Sequence, residues 1–356
     1  MSKRIEALRQ KCLDPEGFDG FLITNETNIL YFTGSPGASC LLVPKQGESI
    51  LYVYGVNYEQ VKAEARGFRV ELVKREENLM EKVAGFVMDL GIRKLAFDTL
   101  IVENYHTIAE RLRDTAKLEP RGALVWSLRR IKAAEELELM RKAAELACEG
   151  MKTAREVLSP GMREYEVAAE IEYAMRRRGS WGTAFETIVA SGVRSAYPHG
   201  GCVDRKIEAG DLVVIDIGAS YCHYRSDMTR TFVAGEPSEK QKQIYDLVRT
   251  AQEKAIMSIK PGVKASDVDA AARTVIEKAG YGENFVHGLG HGVGLEVHEP
   301  PTLSPQSIDK LERGNVVTVE PGIYIVGFGG IRIEDMVLVN EFSAEKLTDD
   351  FYGLEP

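Results

Sequence analysis

Apolar positions along this chain follow two rhythms. Over the first 125 residues, short apolar runs (GFLIT, SILYVYG, FRVELV and KLAFD) alternate with helix-like stretches at 57–66, 77–90 and 103–115. That alternation predicts a small α/β domain over 1–125. The texture changes after Val125. Leu137, Met140, Ala144, Ala147, Met151, Ala154 and Leu158 recur at alternating steps of three and four, which draws one apolar stripe along a long helix ended by Ser159-Pro160-Gly161. A second domain is therefore expected over 130–356. Another long helix opens at Ser238, where S-E-K-Q has the form of a capping box and Ile244, Leu247, Val248, Ala251 and Ala255 form the stripe. It too runs into a Pro-Gly pair, Pro261-Gly262.

This echo is an internal duplication. MREYEVAAEIEYAMRRRG follows the first Pro-Gly and VKASDVDAAARTVIEKAG the second, with Pro160, Val167, Ala169 and Gly179 matched 101 positions later. Farther on, EAGDLVVIDIG aligns with ERGNVVTVEPG at a shift of 104, placing Asp216 on Glu320. Asp227 in SDMTRTFV and Glu334 in IRIEDMVLV can be paired at a shift of 107, with little local identity.

Both segments read as buried strands, since Leu212 to Ile215 are continuously apolar and Val316, Val317 and Val319 nearly so. A carboxylate ending such a run loses hydration, which costs several kcal/mol unless a cation or hydrogen-bond donors compensate it. One such residue is most simply a strand-end acid bonded to loop amides. Four on four strand-like segments, related in pairs, point instead to an oxygen-rich cage for hard divalent ions. Four negative charges around one dication would repel one another, so the count favours two ions.

Three of the six histidines fall within HGLGHGVGLEVHEPP, as His287, His291 and His298. His287 and His291 have the spacing of a helical zinc pair, but Gly288, Gly290, Gly292 and Gly294 argue against a helix there. A phosphate loop would need a helix to follow, and LEVHEPP looks extended. The remaining reading is a loop whose glycines let the backbone pass close to the metals, with His291 as ligand and its neighbours left for outer contacts or proton transfer. His199, in SAYPHGG, is the candidate for similar work in the first half. His223 is read on a strand beside Asp227, on the same face, as an outer contact or a structural histidine.

Composition narrows the partners. A net charge of -9 argues against a surface for nucleic-acid phosphates and favours small molecules or peptides. Cys12, Cys40, Cys148, Cys202 and Cys222 are scattered and never spaced as C-x-x-C, so neither a disulfide framework nor a thiolate zinc site is signalled. The first twenty residues lack the continuous apolar core of a signal peptide, and no membrane-spanning run occurs. A soluble cytoplasmic protein is expected.

FETIVASGVRSAYPHG, VVIDIGASYCHYRSDMTRTF, HGLGHGVGLEVHEPP, VVTVEPGIYI and GIRIED together resemble the pita-bread metallopeptidases of the Xaa-Pro type, prolidase and aminopeptidase P. The resemblance covers nearly the whole chain and implies an α+β pita-bread catalytic domain after a smaller, creatinase-like α/β domain, in a homodimer. It also implies two divalent ions (manganese, cobalt or zinc) held by Asp216, Asp227, His291, Glu320 and Glu334, with Asp227 and Glu334 bridging. Under it, His199 and His298 would stabilise the oxyanion or move protons, Glu320 would relay a proton and His287 would shape a proline pocket. Arg332, two residues before Glu334, would hold a substrate carboxylate or neutralise the cage. Some similar prolidases carry an arginine four residues after the second catalytic histidine; here that position is Thr302. Short proline-containing peptides are the implied substrates, with a dipeptidase favoured over an aminopeptidase acting on longer chains. A non-catalytic peptide-binding module on the same fold would be expected to lack part of the ligand set.

Overall fold

In the computed structural model, which describes residues 3–356, the chain divides into two compact units between Arg129 and Arg130. The first unit is an α/β fold around one six-stranded sheet. Its strands are β1 (Gly20–Ile23), β2 (Cys40–Pro44), β3 (Ile50–Tyr54), β4 (Arg69–Val73), β5 (Lys94–Phe97) and β6 (Lys117–Pro120), in the order β4-β3-β2-β1-β5-β6. The expected runs supply β1, β3, β4 and β5. Strands β2 and β6 and the helix Glu26–Thr33 are additions, the helix being capped by Asn25 and closed by Gly34 in the left-handed conformation. Leu22, Leu42, Tyr52, Val83, Val87 and Leu95 form much of this unit's core.

The second unit has the expected α+β, two-half pita-bread architecture. Each half lays a long helix and a shorter one against antiparallel strands. In the first half these are α1 (Ala134–Val157), α2 (Glu164–Arg177), β7 (Ile188–Ser191), β8 (Leu212–Ile217) and β9 (Met228–Val233), in the order β9-β8-β7. The second half follows with α3 (Glu239–Ser258) and α4 (Ala265–Lys278). Its strands are β10 (Gly290–Gly292), β11 (Glu299–Leu303), β12 (Val316–Val319), β13 (Gly322–Ile325), β14 (Gly329–Arg332) and β15 (Asp335–Val339). The order β11-β10-β12-β15 forms most of its main sheet, while β13 and β14 make a separate hairpin. Six of the seven residues in the first apolar stripe are buried, and only Leu137 is half-buried. Ala147, Met151, Ile171, Val213, Ile215 and Phe232 build one core. Val248, Ala251, Val268, Ala272, Val317 and Val337 build its counterpart.

Strand register corrects one part of the expected duplication. Ile215 faces Arg230 in the first half, and its duplicate Val319 faces Asp335 in the second. The mate of Glu334 is therefore Thr229 rather than Asp227. Thr229 and Glu334 pair directly across an antiparallel bridge, and Arg230 forms a fully buried ion pair with Asp335 at 2.9 Å. Duplicated residues that contact one another mark a local twofold axis between the halves.

Candidate metal centre

The carboxylates converge where the two halves meet. Asp216 stands near the end of β8, Asp227 just before β9, Glu320 just after β12, and Glu334 between β14 and β15. Buried strands carry each backbone into the core, so the acids at their ends lose much of their hydration. Asp216, Asp227 and Glu334 are all buried.

Ligand atoms of Asp227, His291 and Glu334 lie within 4.8 Å of one another. His291 Nε2 is 3.3 Å from Glu320 Oε1 and 3.7 Å from Asp227 Oδ2. Its Nδ1 lies 3.1 Å from the Gly292 carbonyl oxygen, which accepts that proton and leaves Nε2 facing the acids. Thr318 Oγ1 donates to Glu320 Oε1 at 3.0 Å, and Thr229 Oγ1 to Glu334 Oε2 at 2.6 Å. Arg332 donates to Asp216 Oδ2 at 2.5 Å, while Asp216 Oδ1 is buried without a hydrogen-bond partner.

Charge crowding sets the proton affinities. Burial, then the proximity of Glu334, holds the Asp227 carboxyl well above its ordinary range. Burial, then Glu320 and Asp216, does the same to Glu334. Burial also raises Asp216, against the opposing pull of Arg332. Burial would raise Glu320 too, but the His291 imidazole overcomes it and brings the group down to about 2. Acids that resist ionisation beside an orphaned carboxylate oxygen are what a cation cage looks like before the cation's charge is counted. The donor set, four carboxylates and one imidazole, fits hard or borderline divalent ions.

All five groups line one cavity of about 680 Å³, together with His199, His287, His298, Arg332 and Thr302. Phe185, Ile188, Val297 and Pro300 supply an apolar wall. The His298 ring sits 4.3 Å from that of His291. His287 Nε2 lies 3.0 Å from the Tyr324 hydroxyl, which in turn accepts from Arg332 at 3.0 Å. A chain from His287 through Tyr324 and Arg332 thus ends on Asp216.

Arg332 also donates to Thr229 Oγ1 and the Pro198 carbonyl, so of its two expected roles the contacts match neutralisation of the cage. His223 departs from its expected place. Cys222 and His223 both take positive φ in the turn of a small hairpin, and the His223 ring packs edge-on against Trp181 rather than beside Asp227. The glycines act differently as well: a Cβ on Gly290 would lie 2.2 Å from the Thr318 carbonyl oxygen, so what approaches closely is the neighbouring strand. Tyr324, Thr318 and Thr229 had no signal in the sequence beyond their nearness to the motifs.

Fold and centre together define a pita-bread metalloenzyme. "Metallopeptidase family M24" matches residues 138–341, and "Creatinase/Prolidase N-terminal domain" matches residues 4–131. A Xaa-Pro dipeptidase of Pyrococcus furiosus is 43% identical over 98% of each chain. The solved Xaa-Pro dipeptidase from Bacillus anthracis superposes with a TM-score of 0.93 at 40% identity, covering 99% of this chain and 98% of that one. The X-Pro aminopeptidase of Thermotoga maritima superposes at 0.89 with 36% identity, covering 99% of each chain. The chain belongs to metallopeptidase family M24, in the branch that carries the creatinase/prolidase N-terminal domain.

Proposed function

We infer that this chain is a dinuclear-metal peptidase cutting the bond between an N-terminal residue and proline, with Xaa-Pro dipeptides as favoured substrates. The observation that carries the reading is the convergence in one cavity of four carboxylates, three of them buried, and one imidazole, with Asp216 Oδ1 lacking any protein donor. Four carboxylates balance two dications. Asp227 and Glu334 would serve both ions, Asp216 one, and His291 with Glu320 the other; manganese, cobalt and zinc all suit these donors. Bound there, the ions supply Lewis acidity and lower the pKa of water toward neutrality.

The chain's own residues take the remaining roles. Burial, then His291, pushes His298 below its ordinary range, so it is a neutral imidazole at pH 7. With His199, which lines the same cavity, it would donate to a carbonyl oxygen as negative charge develops, or move protons. Glu320, ionised at rest, would take a proton from the attacking water and hand it on to the leaving nitrogen. His287, held at both ring nitrogens by the Gly288 carbonyl and Tyr324, shapes the end of the cavity for the pyrrolidine ring beside the apolar wall. Arg332 keeps one Asp216 oxygen occupied and the other free.

A second reading, Xaa-Pro aminopeptidase on longer peptides, is favoured by one observation. Thr302 on the cavity wall carries no charge and Arg332 is committed to Asp216, so neither offers a free cation to a dipeptide's terminal carboxylate. After metal reconstitution, a Xaa-Pro dipeptide, a Xaa-Pro-Yaa tripeptide and a Met-initiated peptide should be compared. Cleavage of the dipeptide is expected; cleavage of the tripeptide alone would move the assignment to aminopeptidase. Turnover of none would leave a peptide-binding module. The proposal extends to a homodimer, which the family resemblance implies, and to a cytoplasmic location, expected from the sequence.

A further inference from the structure

Three histidines line the cavity outside the ligand set, and all three sit outside helices and strands: His199 in the segment 192–205, His287 in the segment 285–289 and His298 in the bend 293–298. Irregular backbone is where side-chain placement is least determined, yet proton transfer and substrate packing need placement to within a fraction of an ångström. Arg332 reaches the Pro198 carbonyl from inside the cavity, and most of the remaining hydrogen bonds to the first two segments come from groups outside it.

Glu164 opens α2 and is completely buried. Its Oε1 accepts from the Ser191 amide at 2.8 Å and the Ser191 hydroxyl at 2.7 Å; its Oε2 accepts from the Val203 amide at 3.0 Å and from Arg194. Arg194 then donates to the Gly200 carbonyl, next to His199. One carboxylate thereby closes the segment at both ends and through an arginine in its middle.

Asp269 lies one turn farther along α4, the duplicate of α2, and is also buried. Its Oδ1 accepts from the Leu289 amide at 3.0 Å, and both its oxygens receive Arg273 at 2.8 and 2.9 Å. Arg273 donates onward to the Phe285 carbonyl at 3.1 Å and to the carbonyl of His287 itself at 2.8 Å. The design is the same, a buried acid holding an arginine that holds the histidine's backbone, although the acid stands at a different position of the repeat.

We propose that Glu164 with Arg194, and Asp269 with Arg273, are two independent positioning clamps, one for His199 and one for His287. None of the four lines the cavity, and their hydrogen bonds go to residues other than the five ligands. Each clamp acts on the backbone beside its histidine, so its loss loosens one segment and leaves the other alone. His298 serves as the internal reference, because the buried Lys132–Glu299 pair beside it, at 3.2 Å, belongs to neither helix.

The test is hydrogen exchange on the full-length protein, read peptide by peptide. Glu164→Gln is expected to raise exchange in 192–205 and not in 285–290; Asp269→Asn is expected to do the reverse. Arg194→Lys and Arg273→Lys keep the charge while losing the fork, and give the same two patterns if the acid variants fail to fold. Loosening of both segments together, or of neither, overturns the proposal. Kinetics supply the second readout and rest on the Xaa-Pro reading. With metal content unchanged, a clamp variant should lose about tenfold to a hundredfold in kcat/KM, in kcat for the Glu164 clamp and in KM for the Asp269 clamp. Inactive wild-type protein would defeat the functional reading while the exchange pattern still decides the clamps.

Discussion

The two halves of the catalytic unit began as one pattern and differ most where they touch. Asp216 and Glu320 occupy the same strand end in each half. At the next position the halves part: the second carries Glu334, while the first carries Thr229 and sets its acid, Asp227, two residues earlier. Thr229 and Glu334 face one another across the local axis, where two carboxylates would repel directly. A hydroxyl there donates to Glu334 instead, at 2.6 Å. The pair one residue on makes the same point with full charges, Arg230 opposite Asp335. Repetition supplies the scaffold, and contact across the axis requires the repeats to become unlike.

The sharpest way to break this comparison is to remove the displaced acid. Asp227→Asn should lose metal loading and Xaa-Pro turnover together, the barrier rising by several kcal/mol and turnover falling about a thousandfold or more. Metal analysis and hydrolysis after dialysis against chelator check it; full activity in the variant would defeat the two-metal account. Next in size is the axial ion pair. Arg230→Met leaves Asp335 buried and unpaired and should cost about 3–5 kcal/mol in denaturant unfolding. If the axis alone mattered, the swap Arg230→Asp with Asp335→Arg would restore stability. It should not, because Arg230 also binds the Phe351 carbonyl and Asp335 also receives Gln252 and Tyr352.

Proton linkage separates the halves more gently. Asp227 and Glu334 have folded-state affinities raised by burial, so in the metal-free protein their contribution to stability is complete below the unfolded carboxyl values near pH 4 and declines as pH rises through the raised ones. The slope should approach about 1.4 kcal/mol per pH unit for each proton released. Thermal melts of metal-free protein between pH 4 and 8 should show the decline, and Asp227→Asn should reduce it. Since binding expels the same protons, metal affinity should rise with pH over that window. Glu320, held down to about 2, acts in the opposite sense only on the acid side.

The smallest expected difference lies at the helix starts. Ser238 accepts from the Gln241 amide and Gln241 answers at the Ser238 amide, whereas Ala133, which precedes the first half's long helix, has only Glu136 returning to its amide. Ser238→Ala should cost about 1 kcal/mol, and Ala133→Ser should gain up to that amount. Unfolding of both variants checks the pair.

These differences also explain what could be read from residues alone. Asp216 and Glu320 were legible because strand and glycine identity extends on both sides of them. The mate of Glu334 was not, because hairpins of unequal length separate β8 from β9 and β12 from β15, and a shift across such a gap is set by hydrogen-bond register rather than by residue identity. His223 was misplaced because SYCHYR contains no glycine, asparagine or proline to mark its turn. The helix Glu26–Thr33 did carry its signals, Asn25 and Gly34, but its apolar stripe is short. Arg332 was found for its place two residues before Glu334, while its partner Tyr324 lies on the opposite strand of the hairpin, a proximity that only folding creates.

Thr229 facing Glu334 has a consequence for ancestry. Two separate, identical copies of a half-domain, meeting about a true twofold, must present the same side chain from both sides of the axis. They could offer threonine to threonine or glutamate to glutamate, but never one to the other. This cage therefore belongs to joined halves whose codons drift separately, and a symmetric assembly of either half, however well folded, would lack it.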